Sequence, residues 1–198
     1  IALEEIIPSD VRIKLIKLLK QEFQDIQKGE IIKYDIIKTV VNEIIDNINM
    51  SENAFLQNNI GQTDDLLKLI NHSIDVALLS LIVGINKQYT PNKLFILGIN
   101  ALLHDIGKLF DNKEEHVKKG YRIIKNNPMF TATMFIGVVQ HHEHVNGTGY
   151  PQKIKGDKIH EYAKIISICD EYINCLSREN PMLPYQAIEK ITAETLIK

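Results

Sequence analysis

The stretch Leu102-Leu103-His104-Asp105-Ile106-Gly107-Lys108 closes a segment, Leu94 to Leu109, that is apolar on nearly every side. Such a run has no polar face to turn to water, so it reads as a helix buried among other helices. A histidine and a carboxylate stand side by side near its end, with a lysine one turn later. That places two metal-type ligands and one cation in a small volume, where the partial negative charge of a helix C-terminus also favours a cation. Taken alone, a His-Asp pair is more often a hydrogen-bonded core pair or an ordinary helix end. The remainder of the chain decides.

Outward from that stretch the same character continues. Asp64 to about Gly84 carries Leu66, Leu67, Leu69, Ile70, Ile74, Val76, Ala77, Leu78, Leu79, Leu81 and Ile82, the pattern of a central helix, with His72 inside it. Glu114 to Asn126 reads as a helix with His116 on its first turn, and Thr131 to about Glu143 as another leading to His141-His142-Glu143. Asp157 to Ser177 has the stripe Ile159, Tyr162, Ala163, Ile166, Cys169 and Ile173, and Asp170 leans toward that stripe. A buried carboxylate needs a partner. No alternating strand pattern is present, so the fold class expected is all-α.

The N-terminal third reads as support. Pro8-Ser9-Asp10 starts a helix whose Val11, Leu15, Leu18, Leu19, Phe23 and Ile26 recur at helical spacing until Gly29. A second helix lines up Ile36, Ile37, Val40, Val41, Ile44, Ile45 and Ile48. These helices are expected to pack on the later ones or on a second copy of the chain, as a homodimer. Residues 49 to 63 read as a turn-rich connection with one short helix.

Composition narrows the function. At 198 residues the chain buries a substantial core, and a net charge of −2 with interspersed lysines and acids offers no basic stripe for nucleic acid. No leader pattern is seen, and no uninterrupted apolar run reaches the ~18 residues of a membrane span. Cys169 and Cys175 lie six apart on one helix, about 9 Å along the axis, too far for a disulfide. Two helix-core thiols suit a reducing, cytoplasmic setting.

The ligand-type residues then stand as a set. Five successive helices bring His72, His104 with Asp105, His116, His141 with His142, and Asp170. Imidazole and carboxylate ligation without thiolate suits Fe, Mn, Zn or Ni. Seven groups exceed what one tetrahedral ion needs, so two ions are the simplest expectation, with the two oxygens of Asp105 as the natural bridge.

The order His72-Ser-x-x-Val-Ala, His104-Asp105-x-Gly107-Lys108, His116-x-x-x-Gly120, His141-His142-Glu143 and Asn146-Gly147-Thr148-Gly149-Tyr150-Pro151 resembles the HD-GYP branch of the HD phosphohydrolase superfamily. The resemblance runs from about residue 60 to 177. It implies an HD-type helical bundle over residues 61–198 behind a helical extension over 1–60, and a bacterial cyclic di-GMP phosphodiesterase with a metal centre of iron or manganese. It implies His72, His104, Asp105 and Asp170 around one ion, and Asp105, His116, His141 and His142 around the other. Two close cations lower the pKa of a bridging water and neutralise phosphodiester oxygens. Lys108 is expected to hold a non-bridging phosphate oxygen, and Glu143 to orient a histidine. Gly147, Gly149 and Pro151 would shape a loop presenting Tyr150 to substrate or to a signalling-protein partner. His144 and His160 match no ligand position, His160 falling in the first turn of a helix.

The sequence also departs from the family. Asn146 replaces the usual Asp, and the segment between His104 and His116 is short, which should open the site. After Asp170 the chain reads Glu171-Tyr172-Ile173-Asn174, and Arg178 matches the substrate-gripping arginine only loosely. Lys68 stands where three-metal members carry Glu, so two ions are expected and not three. The leading expectation is hydrolysis of cyclic di-GMP to linear pGpG and onward to GMP. The alternatives are a poorly active relative that senses cyclic dinucleotides or scaffolds, and a phosphohydrolase for another nucleotide.

Overall fold

The computed structural model describes residues 4–48, 50, 54–55, 64–111, 114–178 and 180–195. In chain order the elements are β1 (Glu4–Glu5), α1 (Ser9–Gln27), α2 (Tyr34–Asn47), β2 (Ala54–Phe55), α3 (Asp65–Asn86), α4 (Pro91–Leu103), α5 (Glu115–Lys125), α6 (Ile136–Gln140), α7 (Glu161–Ser177) and α8 (Pro184–Thr195). The class is all-α. β1 and β2 form a parallel pair of two residues each, too short to leave an alternating pattern in sequence. The connection expected over residues 49 to 63 lies almost wholly outside the described residues.

α3 is the axis of the bundle, packed against α4, α7 and α1. Its start is capped by Asp64, whose carboxylate accepts the Leu66 and Leu67 N–H groups. By length and composition alone α3 would also pass for a membrane span, but 56% of its most apolar window is buried inside the bundle. Ile70, Ile74, Ala77, Leu78 and Leu81 are fully or almost fully buried there. The core is continuous from Leu15, Leu19 and Phe23 of α1 through Val40 and Val41 of α2 to Ile166 and Ile173 of α7. The N-terminal helices therefore share one hydrophobic core with the later ones.

Three expected helices come out differently. The apolar run through Leu109 is not one helix: α4 stops at Leu103, and after His104 and Asp105 the chain makes a single tight turn, Ile106–Leu109. The reason is Gly107, where an added Cβ would stand 1.8 Å from the His116 carbonyl oxygen. The chain is pressed against α5 at that point and cannot continue straight. Thr131 to Glu143 divides into a short turn, Ala132–Met134, and the five-residue α6. Thr131, Thr133, Phe135 and Gly137 are poor helix formers crowded into one stretch. α7 begins at Glu161 and not at Asp157, because Gly156 takes φ +55 and His160 is the cap, its Nδ1 accepting the Tyr162 N–H at 3.1 Å. Sequence reading also left α8 unassigned; it packs on α7.

Candidate metal centre

Five helices and the turns after them aim at one point. α3 contributes His72 from its interior and α7 contributes Asp170, while α5 brings His116 on its first turn. His104 and Asp105 follow α4 directly, and His141 and His142 follow α6. Two close approaches make this convergence possible. Gly107 lies against the first turn of α5, as its clash distance shows, and Gly120 faces Gly107 across the same contact, with a Cβ there standing 3.4 Å from the Gly107 nitrogen.

The carboxylate of Asp105 is the centre of the arrangement. Its Oδ2 lies 3.5 Å from His72 Nε2 and 3.3 Å from His104 Nε2, while Oδ1 lies 3.2 Å from His116 Nε2 and 3.7 Å from His141 Nε2. The two oxygens of one side chain thus face two different groups. Asp170 completes the first, its Oδ1 at 2.9 Å from His72 Nε2 and 3.7 Å from His104 Nε2. His142 completes the second, its ring 4.0 Å from that of His141 and 5.1 Å from that of His116. In each set of four, the ligand atoms all lie within 4.8 Å of one another. Neighbouring His141 and His142 would diverge on a continuous helix, but both lie just past the end of α6 and join the same set.

The hydrogen bonds leave the inward-facing atoms in need of a cation. His104 Nδ1 donates to the Ala101 carbonyl at 2.8 Å, and His141 Nδ1 to the Gly137 and Val138 carbonyls at 3.1 and 3.2 Å. In its neutral form each ring then turns a lone pair on Nε2 inward. There His104 Nε2 meets His72 Nε2 at 3.3 Å, and His141 Nε2 meets His116 Nε2 at 3.4 Å. Among the described residues, Asp105 Oδ1 and His142 Nε2 are buried with no hydrogen-bond partner. Lone pairs facing one another in a dry site repel unless a proton or a cation joins them. Both sets are able to hold a divalent metal, and nitrogen with oxygen donors suits a first-row transition ion better than calcium.

The protonation states follow from the same contacts. Burial opposes charge on His104, but Asp105 and then Asp170 outweigh it and push the imidazole up to about 10. His72 is raised in the same way, against burial, by Asp105 and Asp170. Burial pushes His142 down to about 2, with His141 and His116 adding to it, and also lowers His141. Burial acts to raise Asp105 and Asp170, yet the imidazoles, His104 foremost, hold both well below the usual carboxylate range.

Around this centre the other expected residues are placed unevenly. The Lys108 ammonium pairs with Asp105 Oδ2 and remains partly open to solvent. Tyr150 is half-buried, stacked on His142 with ring centroids 4.6 Å apart and an angle of 22°. Burial, and then the Glu114, Asp105 and Asp170 carboxylates, push its phenol up to about 12. Gly149 sits where a Cβ would meet the His142 carbonyl oxygen at 2.3 Å, and Gly147 has φ +82. The Tyr150–Pro151 peptide is cis. Asn146 Oδ1 accepts the Thr148 N–H at 2.9 Å and its hydroxyl at 2.7 Å, which shapes the loop from within.

One further expectation is corrected. Glu143 orients no histidine; its carboxylate accepts the Gln152 and Ile154 N–H groups at 2.6 and 3.1 Å, so it holds the loop. Arg178 stands apart from both ligand sets. It lies about 12 Å along the helix axis from Asp170, and its Nη2 turns to Cys175 Sγ at 2.9 Å and Met182 Sδ at 3.7 Å. Both cysteines are free and buried. His144, bonded to Thr148 Oγ1, and His160, the α7 cap, lie outside both sets.

Sequence reading also passed over residues that steady the centre. Asn174 Nδ2 donates to Asp170 Oδ1 at 2.8 Å, a contact readable from their i,i+4 spacing. Arg12 of α1, 3% exposed, donates to Asp75 at 2.8 Å and to Asn71 Oδ1 at 2.9 Å, beside His72. Its signal was an arginine on the apolar stripe of α1, in register with Leu15 and Leu19.

Comparison with known proteins agrees with this geometry. Residues 56–196 match the family model described as HD domain. A cyclic di-GMP phosphodiesterase of Pseudomonas aeruginosa is 25% identical over 167 residues, covering 76% of this chain and 40% of the relative. A 3'3'-cGAMP-specific phosphodiesterase of Vibrio cholerae is 32% identical over 111 residues, covering 47% and 24%. The cyclic di-GMP phosphodiesterase PdeB of Borreliella burgdorferi is 28% identical over 119 residues, covering 52% and 31%. The chain thus spans less than half the length of each of these relatives. Among solved structures, an HDG"Y"P protein of Bdellovibrio bacteriovorus superposes with a TM-score of 0.72 at 19% identity, over 93% of this chain and 64% of its own. With the matched residues covering more than half of its length and the His104-Asp105 pair at the meeting point of its helices, the chain belongs to the HD domain family.

Proposed function

We propose that this domain is a metal-dependent phosphodiesterase that hydrolyses cyclic di-GMP to linear pGpG and onward to GMP. The observation that carries the proposal is Asp105, whose two oxygens face two separate ligand sets. The activities named for the Pseudomonas and Borreliella relatives support the substrate class. Two ions are proposed, iron or manganese first and zinc or nickel next. One would be held by His72, His104, Asp105 and Asp170, the other by Asp105, His116, His141 and His142. Lys68, one turn before His72, pairs with Asp65 on the surface and offers no ligand for a third.

A divalent pair, when bound, supplies Lewis acidity that activates water and offsets phosphate charge. The chain's own residues do the rest. Asp105 fixes the spacing of the two sets. Lys108, beside Asp105 Oδ2 and partly solvent-exposed, is placed to take a non-bridging phosphate oxygen. The Tyr150 phenol keeps its proton at neutral pH and walls the site against His142. In the reaction the oxygen of water bonds to phosphorus, the bond to the 3′ oxygen breaks, and that oxygen takes up a proton.

The rest of the reading is proposed with it. Residues 1–60 form a packing or dimerising extension and 61–198 the catalytic domain, in keeping with a family match that starts at 56. The cytoplasm is the proposed setting, with the two free thiols in its favour, and the Gly147–Pro151 loop is the proposed face for a signalling partner. A second reading, a sensor or scaffold of low activity, draws on Arg178, which faces sulfur atoms and not the ligand sets.

The deciding experiment is elemental analysis of chelator-free protein, with cyclic di-GMP, 3'3'-cGAMP and linear dinucleotides offered to the same sample. About two ions per chain with turnover of cyclic di-GMP is the expected result. Two ions without turnover moves the protein to the second reading. No ion after reconstitution with iron or manganese overturns the metal-dependent reading.

A further inference from the structure

Helix α6 is five residues long, well below the length at which a helix holds itself together in water. It nevertheless delivers both His141 and His142. One side chain fixes its start: Asn100 of α4, four residues before His104 and without exposed surface. Asn100 Oδ1 accepts the Gly137 N–H at 2.6 Å, and its Nδ2 donates to the Ile96 and Thr133 carbonyls, both at 2.8 Å. One N–H facing the oxygen and two carbonyls facing the nitrogen leave a single orientation for the amide.

Gly137 is what lets Asn100 come so close. A Cβ there would stand 3.0 Å from Asn100 Oδ1 and 2.6 Å from Ile166 Cδ1. The same residue's carbonyl accepts His141 Nδ1–H at 3.1 Å. One short path therefore runs from Asn100 through the two backbone groups of Gly137 to the ring that faces Asp105. An apolar residue would fill this position in an apolar helix without the cost of burying an amide. The amide is matched to the α6 terminus on all three of its bonds.

We propose that Asn100 is a positioning residue for the metal set of His116, His141 and His142, tying the helix that leads into His104 and Asp105 to the one that leads into the histidine pair. This rests on the two-metal reading. The His72 and Asp170 side of the centre does not run through this amide, so its loss should act on one site.

The test titrates the metal-free full chain with manganese(II), counting bound ions by electron paramagnetic resonance and following the fold by circular dichroism. Wild type is expected to bind two ions. Asn100→Leu is expected to stay helical, keep one ion at wild-type affinity and hold the other about ten- to a hundredfold more weakly. His72→Ala, run alongside, should weaken the opposite site and so tell the two apart. A folded Asn100→Leu protein with both sites unchanged, or with both weakened alike, overturns the proposal and leaves the two-metal reading standing. Wild type that binds no manganese overturns that reading and the proposal together. If Asn100→Leu does not fold, Asn100→Asp carries the same comparison, since it keeps an acceptor for Gly137 N–H and lacks the amide donors. Failure of both to fold assigns Asn100 to the core and overturns the proposal.

Discussion

Asp105 is buried with no exposed surface, and each of its oxygens is shared among imidazoles from different helices. Removing it should therefore cost both ions, whereas removing His72 should cost one. Elemental analysis of Asp105→Ala and His72→Ala is expected to give fewer than one and about one ion per chain, with hydrolysis abolished in the first; hydrolysis that survives the loss of metal would sink the metal mechanism. His104 supplies a pH signature. Its folded-state value of about 10 lies above the ordinary imidazole value of 6.5, so in the metal-free protein its ion pairs contribute fully below the unfolded value. That contribution is lost as pH rises toward the folded value. Asp105 and Asp170 have the opposite sign, their contribution being lost as pH falls below the ordinary carboxylate range. The melting temperature of metal-free protein should thus decline between pH 6.5 and about 10. Metal affinity should climb over the same window, because uptake displaces a proton, and calorimetry in buffers of differing ionisation enthalpy will detect that release.

Between elements, glycine is the controlling residue. The turn after α4 meets α5 backbone to backbone at Gly107, where a Cβ would be 1.8 Å from the His116 carbonyl oxygen. No rotamer change relieves a clash with backbone. Gly107→Ala should push α5 away, cost about 3 kcal/mol or more in urea unfolding, and weaken the site containing His116. Gly156 is the contrast: its φ is +55 and nothing lies within 4 Å of an added Cβ. Gly156→Ala should cost only the conformational penalty, about 1–2 kcal/mol, and leave metal binding alone. Equal effects at the two positions would refute the close-approach account.

Across the whole molecule, α1 is fastened to α3, which carries His72, by the buried pair Arg12–Asp75 and by Asn71 beside His72. Removing one partner of a buried ion pair strands the other charge. Arg12→Met should cost about 3–5 kcal/mol by urea denaturation, and the double variant Arg12→Met/Asp75→Leu should recover much of that loss. Since α1 and α2 share one hydrophobic core with α3 to α7, the unfolding should remain a single transition in every variant.

The helical class and the residues that come together were legible in sequence because both signals are short-range. Apolar spacing declares a helix within two turns, and the types and order of His72, His104, Asp105, His116, His141, His142 and Asp170 declare ligand chemistry before any folding. Packing decided the rest. Which oxygen of Asp105 faces which imidazoles depends on where three other helices dock. Glu143 serves the Gln152 and Ile154 amides, Arg178 turns away to Cys175, and α4 breaks where Gly107 meets α5. Arg12 and Asn100 reach partners far along the chain. A sequence pattern records what a residue can bond; only the docked backbone sets which partner is within reach, since a hydrogen bond weakens within a few tenths of an ångström.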